Sequence, residues 1–195
     1  MRLAQTAAVL IIGLYLAVVA AMFLFQRQMQ YLPTNRAPSP ADAGFDGAAE
    51  HVLTAEDGTR ILLWYAPAPE GAPVILYFQG NAGEIADRAD RWAFYRDAGF
   101  GTAFLSYRGY GGSEGKPTEA GLHQDAAAAF AWLKAQGIGA GSIALVGESL
   151  GSGVAVRLAA GQPPEARWPR WCWRRPIPPP PMWRRAPTRG YRCAC

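Results

Sequence analysis

The apolar run Ser142-Ile143-Ala144-Leu145-Val146 passes directly into Gly147-Glu148-Ser149-Leu150-Gly151, and Gly153 to Ala160 continues with helical composition. A strand entering a tight serine-bearing turn and leaving as a helix is the geometry of a nucleophile elbow. Gly147 and Gly151 are needed there because a side chain at either position collides with the neighbouring strand or helix. Glu148 fills the remaining elbow position. Ser149 is then expected in a strained conformation, its hydroxyl above the sheet at a helix N-terminus. The bland alternative for the same spacing is a Gly/Ser-rich connecting loop.

A second apolar run, Pro73 to Phe78, leads into Gln79-Gly80-Asn81-Ala82-Gly83. A glycine-rich loop between strand and helix lets backbone N–H groups point at a developing negative charge. With the elbow, it makes an oxyanion hole from Gln79, Gly80 and the residue after the serine, Leu150. Neither segment alone is specific; their combination is.

Three stretches, 76–83, 106–115 and 147–151, together resemble the α/β-hydrolase superfamily. The likeness is to its membrane-anchored subgroup, which carries a His-Gly-Asn-Ala-Gly oxyanion loop and is related to abhydrolase-domain and serine-aminopeptidase proteins. The resemblance spans residues 50–163 and implies a serine hydrolase acting on an ester, thioester or peptide bond of a small-molecule or acyl substrate. Gln79 stands where that family has histidine, which implies a tuned hole.

The remaining pattern agrees with an α/β fold. Residues 51–54 and 60–65 flank Ala55-Glu56-Asp57-Gly58-Thr59, a hairpin signal. Residues 84–98 and 118–136 read as helices, the second stopped by Gly137, and 101–107 as a strand. Strands alternating with helices predict a mostly parallel sheet with helices on both faces. The expected organisation is a transmembrane anchor at 1–28, a linker at 29–47 and a partial hydrolase domain at 48–163. The domain is expected to be incomplete after the elbow helix, with the last strand's edge uncovered.

A serine nucleophile needs a base and an acid that orients it, and in this fold both follow the serine along the chain. The two histidines, His51 and His123, both precede Ser149, and the only later carboxylate is Glu165. His123 reads as a solvated surface residue. The triad is incomplete, and an inactive or nearly inactive product is expected.

The stretch 164–195 is compositionally foreign. Residues 1–163 carry a net charge of −3, whereas 164–195 hold eight arginines against one glutamate. All three cysteines, four of seven tryptophans and half of the prolines fall in that stretch. Pro178-Pro179-Pro180-Pro181 excludes a helix or central strand. Such enrichment is what a GC-rich gene yields when read out of frame. Shifting the frame joins the codons of Trp171 and Cys172 into valine, those of Cys172 and Trp173 into leucine, and those of Trp168 and Pro169 into alanine. An apolar strand results, so a frameshift near Ala166 is expected to have replaced the rest of the domain.

Leu3 to Phe25 is uncharged and mostly apolar. As a helix its length is about 34 Å, enough for a bilayer core of about 30 Å. It reads as a single-pass membrane anchor contacting lipid through residues 3–25, with a cleavable signal peptide as the rival. The resemblance implies a domain outside the cytoplasm. Cys193-Ala194-Cys195 lacks the spacing of a zinc or redox pair. The glycine-rich stretch 109–113 is followed by Glu114 and not by the lysine of a phosphate loop. No metal, cofactor or nucleic acid is expected. Two alternatives to an enzyme stay open: a non-catalytic anchored remnant, and a basic tail binding anionic lipid or nucleic acid.

Overall fold

The computed structural model describes residues 2–34 and 36–162. The stretch 164–195, with Glu165 and the cysteines, lies outside the described residues, as does the frameshift expectation that concerns it.

Helix α1 (Arg2–Gln30) opens the chain. It is long and apolar enough to cross a membrane, and its described side chains are all exposed. Strand β1 (Leu32–Pro33) follows, then β2 (Ala49–Thr54), β3 (Arg60–Ala66), β4 (Val74–Phe78) and the short β5 (Ala82–Gly83). A 3₁₀ turn (Ile85–Arg88) leads into α2 (Ala89–Asp97), so the helical stretch expected at 84–98 is divided into two parts. Strand β6 (Gly101–Ser106), α3 (Glu119–Ala135), β7 (Ile143–Gly147) and α4 (Leu150–Ala160) complete the described fold.

Five strands form one sheet in the order β2-β3-β6-β4-β7. The three strands joined by helical crossovers, β6, β4 and β7, pair in parallel, with β4 central to them. β2 and β3 pair antiparallel, because five loop residues can only make a hairpin, and β3 also runs antiparallel to β6. The sheet is therefore mixed.

Period-two alternation directs side chains to two cores. Val74, Leu76 and Phe78 of β4 pack with Leu122, Ala126 and Phe130 of α3 and with Val154 and Leu158 of α4. Ile75 and Tyr77 face the opposite way, against Ile85, Trp92 and Tyr95. Helices thus cover both faces. β7 lies at the sheet edge, and its Ala144 and Val146 are only partly buried among the described residues.

Thr118 caps α3, its hydroxyl accepting the Gly121 amide at 3.1 Å. Gly137 ends the helix with φ +84°, a conformation that favours glycine.

The composition of 29–47 predicts a linker, yet Tyr31 and Phe45 within it dock on the domain. Tyr31 is buried in the larger core. Phe45, 1% exposed, lies 4.7 Å from Trp64, 4.8 Å from Trp92 and 5.5 Å from Phe104, measured between ring centroids. One aromatic residue with a matching pocket outweighs the surrounding Pro, Ala, Asp and Gly.

Candidate active site

Ser149 is the one non-glycine residue with positive φ among the described residues, at φ 49° and ψ −112°. Such a conformation costs about 1–3 kcal/mol and persists only where the surroundings impose it. The imposition comes from two glycines. A Cβ on Gly147 would strike the Gly151 backbone and stand 2.5 Å from Ser152 Cα. A Cβ on Gly151 would strike the Phe78 carbonyl and stand 2.6 Å from that of Gln79. The helix can therefore press against the strand ends only with glycine at both places, and Ser149 absorbs the remaining turn.

Serine at a helix N-cap ordinarily accepts a hydrogen bond from a first-turn amide. Ser149 occupies the N-cap of α4 without doing so, and it is exposed. The Gly151 amide donates to the Glu148 carbonyl at 2.8 Å and the Ser152 amide to the Ser149 carbonyl at 2.9 Å. Leu150, the first residue of α4, has no intrahelical acceptor for its N–H, as expected at a helix start.

The glycine-rich loop lies beside this turn. A Cβ on Gly80 would stand 3.8 Å from Ser149 Cβ and 3.6 Å from the Glu148 carbonyl. The Glu148 amide donates to the Phe78 carbonyl at 2.9 Å, joining the ends of β7 and β4. The Gln79 side chain is fully buried, and its backbone carbonyl accepts from the Tyr107 hydroxyl at 3.4 Å. The structure thus brings Gln79, Gly80, Gly147, Glu148, Ser149, Leu150 and Gly151 together at the C-terminal ends of adjacent parallel strands. In open α/β sheets ligands bind at such strand ends.

Glu148 has partners that pattern reading did not identify. The Tyr77 hydroxyl donates to its carboxylate, and Arg88 Nε and Arg91 Nε lie 3.1 and 3.2 Å from Oε2. Burial works against its charge, but the Tyr77 hydroxyl and the two guanidiniums prevail and hold its pKa below the usual carboxylate range. Burial, then the Glu148 contact, pushes the Tyr77 phenol up. No local motif links these residues.

The loop after β6 is anchored by a buried Arg108. Its Nε and Nη2 donate to Asp125 Oδ1 at 3.0 and 2.8 Å, and its backbone amide donates to Asp125 Oδ2 at 2.8 Å. Nη1 reaches Asp57 at 2.6 Å. Gly121 leaves room for this side chain, since a Cβ there would stand 2.6 Å from Arg108 Nε. The Arg108 and Thr59 hydrogen bonds lower the Asp57 pKa to about 2.

Neither histidine is hydrogen-bonded to Ser149 among the described residues. His51 sits on β2, at the opposite sheet edge from β7, its ring 4.5 Å from that of Trp132. Four strand spacings separate those edges, about 19 Å. His123 is partly exposed, its Nδ1 enclosed and its Nε2 3.9 Å from the exposed Glu119.

Residues 28–168, most of the chain, match the family model described as X-Pro dipeptidyl-peptidase (S15 family). The chain belongs to this family of α/β-hydrolases. It is 35% identical over 173 residues to the uncharacterized protein Rv2307c of Mycobacterium tuberculosis, covering 85% of this chain and 62% of that protein. It is 30% identical over 192 residues to the lysophosphatidylserine lipase ABHD12 of Danio rerio, covering 80% of this chain and 50% of the lipase. Among solved structures, an α/β-hydrolase from Vibrio vulnificus superposes with a TM-score of 0.53 at 28% identity, over 59% of this chain and 40% of that one. The chain spans between half and two thirds of the length of these two curated relatives.

Proposed function

We propose that Ser149 is the nucleophile of a serine hydrolase acting on an ester, thioester or peptide bond, with the amides of Gln79 and Leu150 as oxyanion hole and Gly80 leaving space beside them. The observation that carries this reading is the left-handed backbone at Ser149, enforced by Gly147 and Gly151 and leaving the hydroxyl uncommitted to capping. The serine oxygen attacks the carbonyl carbon and its proton passes to a base, or to water in the chain as it stands; the amides hold the oxyanion, whose collapse expels the alcohol, thiol or amine together with that proton. One such donor is worth about 10²–10³ in rate.

The chain holds no histidine after Ser149. A protein of residues 1–195 alone would present the serine without such a base, and its turnover is then expected to be low: roughly 10³–10⁴-fold over water survives loss of a triad. We attribute the missing base and acid to a reading-frame change near Ala166, on the composition of 164–195. Helix α1 serves as a single-pass membrane anchor, supported by its length, mean hydropathy of 2.8 and lack of burial.

The test is to express the chain beside a version with one base shifted near codon 166, and to assay ester hydrolysis and fluorophosphonate labelling. Strong Ser149-dependent turnover only in the shifted version is expected. Equal turnover of the two, or labelling that survives Ser149→Ala, overturns the reading.

A further inference from the structure

The glycine-rich loop beside Ser149 has little side-chain packing of its own, since Gly80, Ala82 and Gly83 offer almost none. Beyond the buried Gln79, its order comes from hydrogen bonds, and these lead to the segment immediately after α1. The Asn81 carboxamide donates to the carbonyl of Gln30, the last residue of α1, at 3.0 Å. The Asn81 carbonyl accepts from the Leu32 amide at 3.0 Å and from the Tyr110 hydroxyl at 2.9 Å. β1 then pairs in parallel with β5, Leu32 opposite Ala82 and Pro33 opposite Gly83.

Beyond β1 the same segment stays in contact. The Thr34 carbonyl accepts the Gly111 amide at 3.3 Å, and Arg36 Nε lies 2.9 Å from the buried Glu84. Residues 30–34 and Arg36 therefore lie alongside both the loop at 80–84 and the turn at 110–111. A hydrogen-bond donor for an oxyanion must be held in place before the charge develops.

We infer that Asn81 is a positioning residue that couples the end of helix α1 to the glycine-rich loop, so that the loop's geometry beside Ser149 depends on α1 being held. The segment after the helix is in this sense part of the active-site framework. Calling the loop an oxyanion hole rests on the proposed function; the coupling itself does not.

The experiment compares amide hydrogen exchange in the full chain, in detergent micelles, for the parent protein, Asn81→Ala and Leu32→Pro. The second variant removes the amide that Asn81 holds, at a residue that is half exposed and contributes no core packing. Exchange across 79–84 is expected to accelerate at least tenfold in both variants, with β4 and β6 unchanged. Unaltered exchange across 79–84, or equal acceleration in β4 and β6, overturns the coupling. Fluorophosphonate labelling of the same two variants, made in the version with one base shifted near codon 166, separates the two readings. Slower Ser149 labelling in both variants supports the coupling; an unlabelled Ser149 with the expected exchange pattern supports the coupling and removes the nucleophile assignment.

Discussion

Arg88 Nε donates to Glu148 Oε2 at 3.1 Å, tying the residue before α2 to the residue immediately before Ser149. With Arg91 and the Tyr77 hydroxyl on the same oxygen, the elbow is held from outside its own glycines.

Glu148→Gln removes that charge and is expected to lower stability by about 1.5–3 kcal/mol, the range for a hydrogen bond to a charged group. The folded-state pKa lies below the ordinary 4.5. The contribution is therefore present above that ordinary value and lost as pH falls through the lowered one. Denaturant titrations from pH 3 to 7 should show the parent protein losing its advantage over the variant toward the acid end.

Ser149→Gly relieves the positive φ and is expected to raise stability by about 1 kcal/mol while abolishing the labelling of the frame-shifted version. Ser149→Ala abolishes labelling without that gain, since alanine bears the same backbone penalty. Urea midpoints of the two variants decide the matter.

Gly147→Ala and Gly151→Ala place a methyl against backbone that cannot yield. Each is expected to cost at least about 3 kcal/mol, the upper range for overpacking. Thermal unfolding followed by circular dichroism measures it, with Gly153→Ala, where a Cβ meets nothing within 4 Å, as the tolerated control.

Asp125→Ala strands the buried Arg108 guanidinium and is expected to cost about 3–5 kcal/mol. Asp57→Ala is expected to be milder and sensitive to salt, because that carboxylate is partly exposed. Asp57 titrates at about 2 in the fold against 3.8 ordinarily, so its contribution is complete above pH 3.8 and disappears as pH falls through 2. Unfolding midpoints at two salt concentrations and three acid pH values test both.

Phe45→Ala is expected to cost about 3–5 kcal/mol, the usual loss for a buried phenylalanine. A cost near zero in chemical denaturation would return residues 29–47 to the status of a linker.

The sequence by itself determined the strand, turn and helix around Ser149, the hairpin and the strand-helix alternation, because each rests on local spacing. Gly147 and Gly151 bracket Ser149 within five residues, and the period-two runs of β4 and β7 show in any short window. Tertiary structure decided what holds these parts in register. Glu148 meets Tyr77 and Arg88 across 71 and 60 residues, and Arg108 meets Asp57 across 51. Asn81 meets Gln30 across 51. Charges and amides carry no periodicity that announces a distant partner, and a lone Phe45 in a Pro- and Gly-rich stretch resembles a linker until its pocket closes around it. Which groups pair depends on strand order, and strand order is set by the whole core.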